Sequence, residues 1–158
     1  KNSFINACNS FRGLPHRHEL FLEKKNIRFI NDSKATSFEA SKNALQSNKN
    51  IFWIVGGLPK LKDKFDLKSI KKNIVKSFII GKNIDFFKKE LKDKIKYKIT
   101  NNLKNSMKAI FTDLKKNNII NATILLSPAS ASYDQYKNFV ERGDAFKKIS
   151  KYYANKYL

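Results

Sequence analysis

Short apolar runs recur along this chain at Ile27–Asn31, Ile51–Val55, Val75–Ile80 and Ala122–Leu126, each closed by a small or polar residue. Runs of this length suit buried strands and are too short for core helices. Between them lie stretches with helical spacing. The clearest carries Leu103, Met107, Ile110, Phe111 and Leu114, whose offsets of four, seven, eight and eleven residues keep one apolar stripe. Alternation of this kind predicts an α/β fold, a Rossmann-like three-layer domain whose mostly parallel sheet has about six strands with helices on both faces.

The rest of the chain fits that plan. Glu19–Glu23 and Ile27–Asn31 read as strands joined by a tight Lys-Lys-Asn turn, an antiparallel hairpin at the sheet's edge. Thr36-Ser-Phe-Glu39 has the spacing of a capping box and predicts a helix running to about Leu45. Further helices are expected near Leu67–Asn73, at Ile84–Leu91, and from about Gly143, where Phe146, Ile149 and Tyr153 share a face. A short strand is expected near Lys96–Ile99. No repeat or linker divides residues 1–158, so they are expected to form one domain.

Three polar loops follow three of the strands. They are Asp32-Ser-Lys-Ala-Thr-Ser37, Gly56-Gly-Leu-Pro-Lys60, and the hydroxyl-rich stretch from Ser127 to Phe139. Ligands of open α/β sheets bind at the carboxyl ends of the strands. Lys34, Thr36, Lys60 and Ser132 on one such edge predict a pocket for an anion. Lys34 and Thr36 also precede a predicted helix amino terminus, where free N–H groups and the dipole favour negative charge.

Several function classes are disfavoured. The net charge of +20 comes almost wholly from lysine, the arginines being Arg12, Arg17, Arg28 and Arg142. Specific nucleic-acid recognition favours the arginine fork. The lysines are mixed with Asn and Ile, a pattern that AT-rich codons produce without selection for binding. Phe86, Phe111 and Phe146 fall on apolar faces rather than among the basic residues, which weakens the rival reading of a lysine-rich nucleic-acid-binding module. No nucleic-acid partner is expected.

Cys8 is a lone cysteine, read as an inert thiol in a reducing compartment. No apolar run could span a membrane and no leader is evident, so a cytoplasmic monomer is expected. The chain begins at Lys1 rather than methionine, which fits a piece of a longer protein. His16 and His18 flank Arg17 with no further Cys or His to complete a metal site, and no metal is expected. Asp134 and Asp144 read as helix-start residues. Gly81-Lys82 is followed by Asn83, so neither a P-loop nor a dinucleotide fingerprint occurs.

Taken together, Gly13-Leu-Pro-His-Arg-His-Glu19, Asn31-Asp-Ser-Lys-Ala-Thr36 and Ser127–Phe139 with Arg142-Gly143 resemble the carboxyl-terminal domain of the Mur ligases. Gly56-Gly57 with Lys60 is a looser match. Asp-Ser-Lys-Ala-Thr stands where sister ligases carry an acid-Tyr-Ala-His/Asn-Pro stretch, which points to the D-glutamate-adding branch; a ligase adding another amino acid is the alternative. The resemblance implies ATP and Mg2+ bound mainly by a central domain, and UDP-N-acetylmuramoyl-L-alanine held by an amino-terminal one. Both domains lie outside this chain, which alone is expected to be inactive. It further implies a D-glutamate cradle of Thr36, Lys60, Ser132 and the backbone of Phe139, with Arg17, Asp32 and Lys34 on the nucleotide side after domain closure. Ser37 departs from the usual asparagine, and Leu61 from the glycine that commonly follows the lysine.

Overall fold

The computed structural model describes residues 13–158. Cys8 lies outside them. The strands are β1 (Glu19–Lys24), β2 (Ile27–Asn31), β3 (Ile51–Gly56), β4 (Ile74–Ile80), β5 (Tyr97–Asn101) and β6 (Ala122–Leu126). The helices are α1 (Phe38–Ser47), α2 (Ile84–Leu91), α3 (Leu103–Lys116) and α4 (Phe139–Tyr157). One sheet runs in the order β1-β2-β6-β3-β4-β5, with only the β1–β2 pair antiparallel. This is the predicted three-layer α/β architecture.

Strands β3 and β6 are buried along their whole length, as parallel strands covered on both faces must be. Alternate residues then feed two cores. Phe52, Ile54, Ile124 and Leu126 face α3 and α4, meeting Met107, Ile110 and Phe146. Trp53, Val55 and Leu125 face α1 and α2, meeting Phe38, Leu45, Phe87 and Leu91. The β1–β2 connection turns on Lys25 and Asn26 at φ of 47° and 62°, the left-handed pair a two-residue hairpin needs.

Three local expectations are corrected. Near Leu67–Asn73 there is a turn and one short 3-10 segment, Lys71–Asn73, instead of an α-helix. Leu67 and Ile70 still enter the core, but three lysines and Ser69 leave too narrow an apolar stripe for a longer helix. The last helix begins at Phe139, not near Gly143, because the Asn138 side chain accepts from Glu141 N–H and caps it there. Asp144 therefore sits within α4, and Asp134 lies in a turn where it accepts from Lys82 N–H at 2.8 Å. Among the described residues, no helix is long and apolar enough to cross a membrane.

Candidate functional site

The chain runs outward from β2 through β3 and β4 to β5, then returns to insert β6 between β2 and β3. The carboxyl ends of β2, β6 and β3 are thus neighbours at the point where strand order reverses, the usual place for a ligand. All three predicted polar loops leave from these ends.

Backbone contacts draw the loops together. Leu58 and Ala131 form an antiparallel bridge, with N–H···O distances of 2.9 and 3.0 Å. That bridge joins the backbone carrying Lys60 to the backbone carrying Ser132. Gly56 N–H also donates to Pro128 O at 3.0 Å. Asp63, farther along the Lys60 loop, accepts from Phe38 N–H at 3.0 Å and so ties that loop to the start of α1. Leu61 is 92% exposed, and the loop turns at Lys62 with φ of 64°, so the left-handed residue falls one position beyond the departure from the family pattern.

Thr36 does not cap α1. Ser37 does, its hydroxyl accepting from Ala40 N–H at 3.4 Å, while Glu39 pairs with Lys42. At this helix start, Asp63 Oδ2 takes the Phe38 N–H, a carboxylate where the helix dipole favours one.

The turn bearing Arg17 is fixed from both sides. His16 is buried and its Nδ1 lies 2.9 Å from Asn31 Nδ2, while His18 Nε2 lies 3.0 Å from Asn48 Nδ2. A Cβ on Gly143 would stand 2.2 Å from His16 Nδ1, so the helix admits this ring only with glycine there. Both histidines are scaffold. Among the described residues no group of three His, Cys, Asp or Glu side chains could hold a metal.

Asp32 is buried at the end of β2. Its Oδ2 accepts from Ser127 Oγ at 2.7 Å and its Oδ1 from His18 N–H at 3.0 Å. Burial raises its pKa above the ordinary value, against the opposing pull of the Ser127 and His18 bonds. A carboxyl with a raised folded-state pKa stabilises the fold fully only below its unfolded pKa, about 3.9, and that contribution is lost as pH rises through the folded value. An asparagine can keep both contacts, donating to Ser127 and accepting from His18. Asp32→Asn is therefore expected to raise the thermal midpoint at pH 7 and to lose that advantage near pH 3, measured by calorimetry at both values.

The hydroxyl inventory separates scaffold from site. Ser33 Oγ donates to Phe139 O, Ser127 Oγ to Asp32, and Ser130 Oγ to Pro128 O. Among the described residues, the hydroxyls of Thr36 and Ser132 have no hydrogen-bond partner, although Ser132 is buried. Among the described residues, Lys60 is exposed and in no ion pair, and Phe139 N–H, the first of α4, takes no acceptor. Among the described residues, the four expected cradle groups are thus among the donors left unused, as are the buried Ser77 and Ser150 hydroxyls of β4 and α4. Arg17 and Lys34 are also exposed and free of ion pairs among the described residues, Lys34 Nζ standing 5.2 Å from the Phe139 ring centroid.

One buried group escaped notice as a contributor. Arg142 is 1% exposed and binds Ser33 and Ser130, on two of the three loops. Its place in an Arg-Gly pair was visible in the sequence; that it points inward was not.

No protein-family model matches the chain. It is 42% identical over 148 residues to the UDP-N-acetylmuramoylalanine–D-glutamate ligase of Wolbachia sp. subsp. Brugia malayi (strain TRS), covering 92% of this chain and 29% of the relative. It is 40% identical over 142 residues to the ligase of the same name from Rhizobium meliloti (strain 1021), covering 90% and 31%. Against that of Rickettsia felis (strain ATCC VR-1525 / URRWXCal2) the identity is 35% over 147 residues, covering 93% and 33%. The chain spans about three-tenths of the length of these curated relatives. The chain is thus related to the Mur ligases: it resembles their carboxyl-terminal domain, in the form found in UDP-N-acetylmuramoylalanine–D-glutamate ligases.

Proposed function

We propose that this chain is the amino-acid-binding domain of an ATP-dependent ligase that adds D-glutamate to UDP-N-acetylmuramoyl-L-alanine in peptidoglycan precursor synthesis, in the cytoplasm. The observation that carries this reading is the set of unused donors, Thr36 and Ser132 hydroxyls, Lys60 ammonium and Phe139 N–H, on loops laced together by the Leu58–Ala131 bridge. A dicarboxylate asks for a cation and neutral donors at each end. Lys60 and Ser132 would take the side-chain carboxylate, with Phe139 N–H beside them, and Thr36 the α-carboxylate. The ligand's amine would be left free.

In the reaction, a carboxylate oxygen of the UDP-linked alanine attacks the γ-phosphorus of ATP and ADP leaves. The glutamate amine then attacks the acyl carbon, the amide forms, and phosphate departs as the nitrogen loses a proton. Mg2+, held mainly by a central domain, would offset charge on the phosphates. Arg17 and Lys34, exposed and without an ion pair among the described residues, fit a nucleotide's phosphates, and Asp32 would face the ribose after hinge closure. Asp32 already accepts one bond on each oxygen, so only its remaining lone pairs are available.

The complete protein carrying this chain is expected to release ADP only when UDP-N-acetylmuramoyl-L-alanine, ATP, Mg2+ and D-glutamate are all present. Release that depends on a different amino acid would move the chain to another Mur-type ligase. Dependence on none would end the reading.

A further inference from the structure

A buried cation with no counter-ion among the described residues lies beneath the three loops. Arg142 Nε donates to Ser33 Oγ at 3.0 Å, and Nη2 donates to Ser33 O at 2.8 Å and Ser130 O at 3.0 Å. One guanidinium therefore ties the loop after β2 to the loop after β6. Every acceptor is a neutral oxygen, and among the described residues no carboxylate lies within ion-pair distance. The remaining nitrogen, Nη1, is buried and has no hydrogen-bond partner among the described residues. It stands 3.3 Å from where a Cβ on Gly57 would be, so the fork also abuts the loop that leads to Lys60.

This arrangement is costly for stability. A buried unpaired donor is unfavourable, and a buried charge without a partner is worse. Burial lowers the guanidinium's pKa to about 10, opposed by Asp134 and Tyr136, and the group stays charged at neutral pH. A standing positive charge in a weakly screened interior attracts an anion at the loop mouth without touching it.

We propose that Arg142 is a specificity-determining positioning residue: it holds the three loops in register and supplies the fixed positive charge that makes the pocket prefer a second carboxylate over a neutral amide. This rests on the reading that the pocket takes D-glutamate. It adds that the demand for a charged side chain comes from a residue the ligand does not reach, in addition to Lys60.

The test uses the complete ligase and compares D-glutamate with D-glutamine in ADP release. Arg142→Gln removes the charge as well as the loop tie and is expected to raise the D-glutamate KM roughly ten-fold more than it raises the D-glutamine KM, so that the preference shrinks. Loosened loops alone would weaken both amino acids alike, and that outcome would overturn the proposal. Arg142→Lys keeps the charge and is expected to keep the preference even where its thermal midpoint falls. A lysine variant that loses the preference would also overturn it, and this arm decides the matter if the glutamine variant fails to fold. A wild-type enzyme that ignores D-glutamate overturns the functional reading and this proposal together. An active wild type with an unchanged Arg142→Gln variant overturns this proposal alone.

Discussion

Replacing Gly57 with alanine is expected to lower the stability of this chain by about 3–4 kcal/mol, among the largest effects a single methyl group can have. Gly57 has φ of 134°, a conformation side-chain-bearing residues rarely adopt, so strain of about 1–3 kcal/mol arises before any contact is considered. The added Cβ would stand 2.3 Å from Ala131 O and 2.6 Å from Ser130 Oγ. Ala131 is the bridge partner of Leu58, so relief of the clash requires the bridge to open. For a domain of this size the thermal midpoint should fall by about 10 °C. Gly13→Ala is the control. Its φ is 80° but, among the described residues, nothing lies within 4 Å of its Cβ position, so only the backbone cost of about 1 kcal/mol is expected. Comparable midpoints for the two variants would mean that the close approach at Gly57 does not hold the loops.

Lys60→Ala in the complete ligase is expected to raise the D-glutamate KM by roughly ten- to a hundred-fold, the cost of one charge-assisted contact at about 1.5–3 kcal/mol. Lys60 is exposed and in no ion pair among the described residues, so its loss should leave the thermal midpoint nearly unchanged. Ser132→Ala should act in the same direction with a smaller effect, since a neutral hydroxyl contact contributes about 1 kcal/mol. The ATP KM should stay within about two-fold in both variants, because the pocket proposed for D-glutamate is separate from the phosphates. Unchanged D-glutamate kinetics in both variants would remove the cradle from this edge of the sheet.

The elements that were legible in advance are those whose signal is periodic. Ala122–Leu126 and Ile51–Val55 are apolar at every position, and α3 keeps one stripe from Leu103 to Leu114, so tertiary packing reinforces the local pattern. The corrections fall where one or two side chains decide. Thr36 and Ser37 are both competent caps, and the choice depends on where Asp63 meets Phe38 N–H, a contact across 25 residues. Asn138 caps α4 so that it begins at Phe139, four residues before the glycine that seemed to mark its onset. The stretch around Leu67 has apolar residues but is drawn over α1 and α2 as a loop, since Phe65 stacks on Phe38 at 4.4 Å between ring centroids.

The loops of the candidate site were visible as polar segments after strands; their lacing was not. The Leu58–Ala131 bridge joins residues that no periodicity relates, and it depends on Gly56 and Gly57 accepting φ near 135°. Arg142 was legible only as part of a resemblance. An arginine in the first turn of a helix ordinarily faces solvent, and nothing local indicates that Ser33 and Ser130 would surround it.

A double-mutant cycle on Lys60 and Ser132, read as kcat/KM for D-glutamate in the complete ligase, bears most directly on whether the two loops meet at one carboxylate. If they do, the paired variant should lose less than the sum of the single losses, with a coupling of at least about 0.5 kcal/mol. Losses that add to within about 0.3 kcal/mol would mean that the two side chains act on separate ligands or on none.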